Sequence, residues 1–235
     1  MEETEGMSKQ AAATRAGSAD GSESAERSQS RQLQHIHRSI AACRLCSEAG
    51  YFAQSSDIVV SAHATPPRMM LVGQAPASPM RSKGAPFSGQ AGRVLFSWMA
   101  RAGFGESDFR AQCYFTAITK CYPGPARGER GSGDRAPSNR ERALCRPFLL
   151  RELALIQPSL ILAVGRLSTA YFLGPEVDFT AVIGASYASE GRTILPLPHP
   201  SGVSRWTNDP ANRLKLDAAL AWLAGWAHEK ATRGC

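Results

Sequence analysis

A chain of 235 residues, 43% of them hydrophobic, is long enough for one α/β domain with its own core. No apolar run approaches the ~20 residues that cross a bilayer, so a membrane-spanning helix is excluded, and the polar, acidic MEETEGMSKQ is no secretory signal. The formal charge of +7 is uneven: residues 1–30 hold six acids and three bases, leaving 24 bases and 14 acids, a net +10, on the rest.

A basic body suits a polyanionic partner, although ordinary solubility charge gives the same sign. Residues 1–30 contain no Val, Ile, Leu, Phe, Trp or Tyr and read as a disordered acidic tail. The expected domain spans 31–228, with a short tail over 229–235. A helix is predicted over Gln32–Cys46, with Leu33, Ile36 and Ile40 on one face. Met69–Val72 is a buried strand ending at Gly73. Ala91–Ala102 reads as a helix and Tyr114–Ile118 as a second strand.

Residues 122–137, rich in Gly, Pro and Arg, form a loop by composition. Ser138 and Glu141 make a capping box for a helix running to Ile156. Ser159–Val164 is a third strand, Arg166–Leu173 a helix and Thr193–Leu197 a fourth strand. Asn208-Asp209-Pro210 opens a last helix, whose inner face carries Leu216, Leu220, Leu223 and Trp226. Strands alternating with helices predict a three-layer α/β/α domain around a four-stranded parallel sheet. In such sheets the loops at the strands' C-terminal ends build the site.

Three of those loops carry unusual residues. Gly73-Gln74-Ala75-Pro76-Ala77, with Ala85-Pro86-Phe87-Ser88-Gly89-Gln90-Ala91-Gly92, lets backbone amides face a ligand. Phe87 is either a stacking ring or a core side chain. Ala117-Ile118-Thr119-Lys120-Cys121 closes the second strand; Lys120 reads equally as a solvated side chain, and Cys121 as a small apolar residue. Pro198-His199-Pro200-Ser201-Gly202-Val203-Ser204-Arg205-Trp206 holds a histidine between prolines, stiff enough to aim a hydrogen bond at developing negative charge. Arg205 and Trp206 suit phosphate contact and insertion into a base stack, or a Trp packed on the core.

The order GQAPA…PFSGQAG, TAITKC, LPHPSGVSRW resembles the uracil-DNA glycosylase superfamily, nearest its iron–sulfur families four and five. The resemblance covers about Cys43 to Leu223. It implies DNA containing uracil as the partner and hydrolysis of the N-glycosidic bond, leaving an abasic site. His199 would stabilise the departing base anion. The flipped base would stack on Phe87, with Gln74, Ala75 and Ala117 around it. Ser201, Gly202, Ser204, Arg205, Trp206 and Lys120 would meet the DNA, as would Arg127 and Arg130 of the Arg-rich insertion. A cytoplasmic, nucleoid-associated monomer is expected.

Six cysteines in such a chain argue for metal or cluster ligation rather than a disulfide framework. The resemblance implies Cys43, Cys46, Cys121 and Cys145 as ligands, with Cys113 and Cys235 outside the set. Four cysteines suit a [4Fe–4S] cluster and structural zinc alike; the resemblance favours the cluster.

The sequence departs from its relatives at the water-handling positions. Family four places Glu where Gln74 stands, and family five places Asp where Gln90 stands. An amide cannot take a proton, though its carbonyl oxygen can align a water. Many members have Asn at the position of Ala117, to read the uracil edge. Its absence predicts a wider range that includes hypoxanthine or other deaminated bases. The insertion contains no His, so no covalent DNA adduct is expected. The alternative is a DNA-binding iron–sulfur protein of the same fold with little glycosylase activity. A nucleotide-binding enzyme of another class is disfavoured by the lack of GxGxxG and Walker sequences.

Overall fold

A strand that is apolar on both sides must be covered on both faces. β1 (Met69–Gly73) and β3 (Leu160–Val164) are buried along their whole length, which assigns both to the middle of a sheet. The computed structural model describes residues 26–51, 68–77, 85–126, 133–201 and 205–233, and has them there. With β2 (Cys113–Ala117), β4 (Tyr187–Ser189) and β5 (Arg192–Leu197), the sheet order is β2–β1–β3–β5–β4. Residues 1–25 of the acidic tail lie outside the described residues; residues 26–30, expected to belong to it, are instead the start of a helix.

The sheet has five strands rather than the expected four. The four expected strands are parallel to one another. The addition, β4, pairs antiparallel with β5 through a tight turn whose Glu190 and Gly191 both have positive φ (48° and 75°). Three residues are too few for alternation to show in a sequence. The short reach of β4 also explains how Pro196 sits inside β5: β4 pairs only as far as Ile194, so the missing N–H breaks no ladder there.

Alternation along the strands separates two cores. Met69, Leu71, Phe115, Leu162 and Leu195 face one way. They meet α3 (Gln90–Arg101), α4 (Glu106–Gln112) and α8 (Pro210–Arg233). Met70, Val72, Tyr114, Ile161 and Ile194 face the other way, towards α1 (26–41), α5 (Asn139–Ile156) and α6 (Arg166–Leu173). This is the expected three-layer arrangement. Leu216, Leu220 and Leu223 of α8 are buried, and Trp226 packs beside them. The Ser138–Glu141 capping box opens α5 as predicted.

Three local features differ from the sequence reading. The predicted first helix is two helices, α1 and α2 (Leu45–Glu48). Between them Arg44 donates to the carbonyls of Ala41 (3.3 Å) and Cys43 (2.9 Å), satisfying acceptors that a helix end leaves open. The short helices α4 and α7 (Phe179–Val182) each have too few residues for a periodic signal. The last helix continues to Arg233, past the boundary expected at 228.

Candidate active site

β1, β2, β3 and β5 run parallel, so the loops that leave them gather at one edge of the sheet. Backbone bonds tie these loops together. Ile118 N donates to Gly73 O (2.9 Å), Thr119 N to Gln74 O (3.3 Å) and Gly165 N to Leu197 O (2.8 Å). They enclose a cavity of about 600 Å³, ample for a nucleobase and part of its sugar. Gln74, Ala75, Phe87, Gln90, Ala117 and His199 all line it.

His199 follows β5 and is half-buried. Burial lowers its pKa below the ordinary 6.5, and the charge of Asp134 opposes that shift. The ring is therefore neutral at pH 7. Its Nδ1 lies 3.2 Å from the Ser201 backbone N–H, which can only donate. The proton of the neutral ring accordingly sits on Nε2, the tautomer that offers an N–H to a ligand. Gly165 stands behind the ring with φ +86°; a Cβ there would lie 3.4 Å from His199 Cδ2.

Phe87 adopts φ 54°, an unfavourable left-handed conformation for a residue with a side chain. Its surroundings hold it there. Arg110 donates to the carbonyls of Pro86 (3.0 Å) and Phe87 (3.4 Å), while its guanidinium lies 4.3 Å above the centre of the Phe96 ring. The Phe87 and Phe115 ring centres are 6.2 Å apart, tilted by 54°. Phe87 thus presents a fixed aromatic wall to the cavity.

A second, smaller pocket is ringed by Cys43, Cys46, Cys121 and Cys145, and Leu45, Leu144 and Phe148 close it. The break between α1 and α2 brings Cys43 and Cys46 to it, the end of the β2 loop brings Cys121, and α5 brings Cys145. Burial, with Cys145 next in weight, pushes the Cys46 thiol up to about 11. Lys120 N donates to Cys145 Sγ (3.2 Å), and the nearby Thr119 hydroxyl is buried with no hydrogen-bond partner among the described residues. Among the described residues no three His, Cys, Asp or Glu side chains are placed to hold one metal ion. The four thiols line one small pocket.

The family model for the uracil DNA glycosylase superfamily matches residues 60–224. The chain belongs to that superfamily. It is 27% identical to the Type-4 uracil-DNA glycosylase of Thermotoga maritima over 174 residues, 73% of this chain and 84% of the relative. It is 28% identical to the protein of the same name from Archaeoglobus fulgidus, over 73% of this chain and 82% of the relative. A third, from Sulfurisphaera tokodaii, is 30% identical over 57% of this chain and 59% of its own length.

Two residues expected at the superfamily's DNA surface are placed elsewhere. Lys120 is only 5% exposed; its Nζ bonds Glu152 (2.7 Å), the Ala117 carbonyl (2.8 Å) and Thr116 Oγ1. It faces the interior because a buried carboxylate lies within its reach. Trp206 packs against the core, donates from Nε1 to Thr180 (3.2 Å) and meets the Phe179 ring edge-on. This is the core-packed placement that the sequence left open for Trp206. Arg205 is exposed and Ser201 lines the cavity. Gly202, Ser204, Arg127 and Arg130 lie outside the described residues, as does Cys235. Cys113 is fully buried in β2, apart from the other thiols.

Sequence reading overlooked Asp134, Thr116 and Gly165. Asp134 and Thr116 line the cavity, and Gly165 backs His199. For Gly165 a signal existed: Val164-Gly165 repeats the strand-ending Val72-Gly73. Asp134 sits in a Gly/Pro/Arg-rich stretch where nothing in the pattern marks one acid.

Proposed function

We propose that the chain is a monofunctional DNA N-glycosylase that excises uracil, and with it other deaminated bases, by hydrolysis. The observation that carries this reading is His199, with Nδ1 accepting from the Ser201 backbone N–H and its pKa lowered by burial, in a cavity walled by Phe87. Glycosidic cleavage leaves the bonding electrons on the base as an anion. A fixed neutral N–H donor stabilises such an anion without a competing proton transfer, and one donor of this kind is worth about 2.7–4 kcal/mol of barrier. A base reaches the cavity only after leaving the helix stack, and Phe87 gives it a face to stack on.

Ala117 supports the wider substrate range. A cavity wall without an amide at that point leaves no polar group unpaired when the base edge changes. Cys43, Cys46, Cys121 and Cys145 would hold a [4Fe–4S] cluster in the second pocket; its apolar lining and all-thiol donor set fit that group. Held by four protein ligands, such a cluster would supply rigidity, with the cysteines joining the α1–α2 segment and α5 to the loop after β2.

The test is base release from a duplex carrying one uracil, with hypoxanthine and thymine opposite guanine as comparisons. Alkali-sensitive cleavage by wild type, reduced about 10²–10³-fold in His199→Ala, is the expected result. No release of any base by folded, cluster-loaded protein would overturn the reading.

A further inference from the structure

We propose that Asp134 is the carboxylate that orients the attacking water and takes its proton. The inference rests on the glycosylase reading above. Neither amide that lines the cavity, Gln74 or Gln90, can accept a proton. Among the described residues Asp134 is the one carboxylate lining the cavity that also holds both glutamines, Phe87 and His199.

The placement is built into the chain. Pro125 and Asp134 pair as an antiparallel bridge, flanked by bonds from Ala126 N to Gly133 O and from Arg135 N to Gly124 O, both 3.0 Å. The two arms of the Gly/Pro-rich insertion therefore close on each other beside the cavity. The next residue, Arg135, makes a bidentate pair with the buried Glu141, 2.7 Å for each bond. Glu141 in turn receives Ser138 N (2.8 Å) at the start of α5. Tyr122 donates its hydroxyl to Asp134 Oδ1 (3.1 Å) and so restrains the carboxylate. The influence of Asp134 at His199 places the two groups within electrostatic reach of each other.

The step balances without a further reactant. As the C1′–N1 bond breaks, its electron pair leaves with the base, whose anion is met by the Nε2–H of His199. The positive charge growing on the sugar is stabilised by the Asp134 carboxylate. The water oxygen forms the new bond to C1′, and its proton passes to Asp134 and then to solvent. The base anion takes a proton from solvent after release. A carboxylate in this role is worth about 10²–10⁴ in rate.

The experiment is single-turnover excision of uracil by the cluster-loaded full chain, alongside DNA affinity. Asp134→Asn keeps size and a hydrogen-bond acceptor for Tyr122. It is expected to slow excision about 10²-fold or more while binding uracil-containing DNA at least as tightly as wild type. Asp134→Ala with added formate should recover part of the lost rate, because a free carboxylate can enter the space. Gln90→Asp in the Asp134→Asn background should also recover rate, since position 90 lines the same cavity. Excision by Asp134→Asn within threefold of wild type would overturn the proposal, as would a rate loss matched by lost DNA affinity. Inactivity of the wild type itself would instead strike the glycosylase reading.

Discussion

Gly92 lies directly against the backbone of Phe87: a Cβ at position 92 would stand 1.6 Å from the Phe87 carbonyl oxygen. No side-chain adjustment relieves such an overlap, because the opposing atom is backbone. The first turn of α3 can therefore pack under the Phe87 loop only when residue 92 is glycine. Gly92→Ala should move the Phe87 ring by about an ångström and lower kcat/KM by about 10²-fold. Loss of stability should be modest, because the loop is at the surface. Excision kinetics together with a melting curve check this; unchanged kinetics would mean that Phe87 does not wall the base site.

His199 predicts a pH dependence of stability. Burial holds its folded pKa below the ordinary 6.5. Above 6.5 the ring is neutral in both folded and unfolded chains, and the native contact with Ser201 N is intact. As pH falls below 6.5 the unfolded chain binds a proton that the folded one resists, so this contribution is lost as pH falls through the lower folded value. Wild type should therefore lose more stability than His199→Gln on going from neutral to mildly acid pH. Equal losses in melting temperature would show that the imidazole is not desolvated.

The fold was more legible than the site because burial leaves a pattern and local geometry does not. Met69–Gly73 and Leu160–Val164 are apolar at every position, and Ser138 and Glu141 stand at capping-box spacing. β4 and α7 are too short to show a period. At the site, His199 and Phe87 were legible through their Pro and Gly neighbours. Lys120 was misread since its partner Glu152 lies 32 residues away on α5, and no local pattern reports a pairing over that separation. For Trp206 the sequence left base-stack insertion and core packing both open, because its partners Phe179 and Thr180 lie on a helix that gave no signal.

Arg135 and Glu141 link the insertion to α5, and Glu141 carries the capping box as well. The Arg135 hydrogen bonds hold the Glu141 carboxyl below its ordinary 4.5. The stabilisation is therefore present above 4.5 and lost as pH falls through the lower folded value. Glu141→Ala removes a charge-assisted pair and half of the cap, so it should cost about 2–3 kcal/mol at neutral pH. It should also slow excision by releasing Asp134, the neighbour of Arg135. Denaturation at pH 7 and at acid pH, where the difference between variant and wild type should shrink, measures the first effect. A difference independent of pH would show that the ion pair contributes little.

Lys120 and Glu152 form a buried pair, with side-chain exposures of 6% and 1%. Glu152 also accepts from Tyr114 (3.0 Å) and Thr116 (2.8 Å), and Tyr114 meets His37 of α1 at 2.9 Å. Burial, with Glu152 next, raises the Tyr114 pKa far above its ordinary value, so the phenol stays a donor. This network spans from α1 to Thr116 on the base cavity and, through the Lys120 backbone N–H, to Cys145 in the thiol pocket. Glu152→Leu alone leaves an ammonium buried without its counter-charge and should cost about 3–5 kcal/mol. The double variant Lys120→Met/Glu152→Leu removes both charges and should recover most of that stability. The two proteins separate the roles of the pair. If it serves only stability, the double variant excises uracil at the wild-type rate. If it also fixes the end of β2, the double variant is stable yet slow, because Thr116 and Ala117 have lost the lysine that joins them. We expect the second outcome, since Lys120 Nζ bonds both Thr116 and Ala117 as well as Glu152.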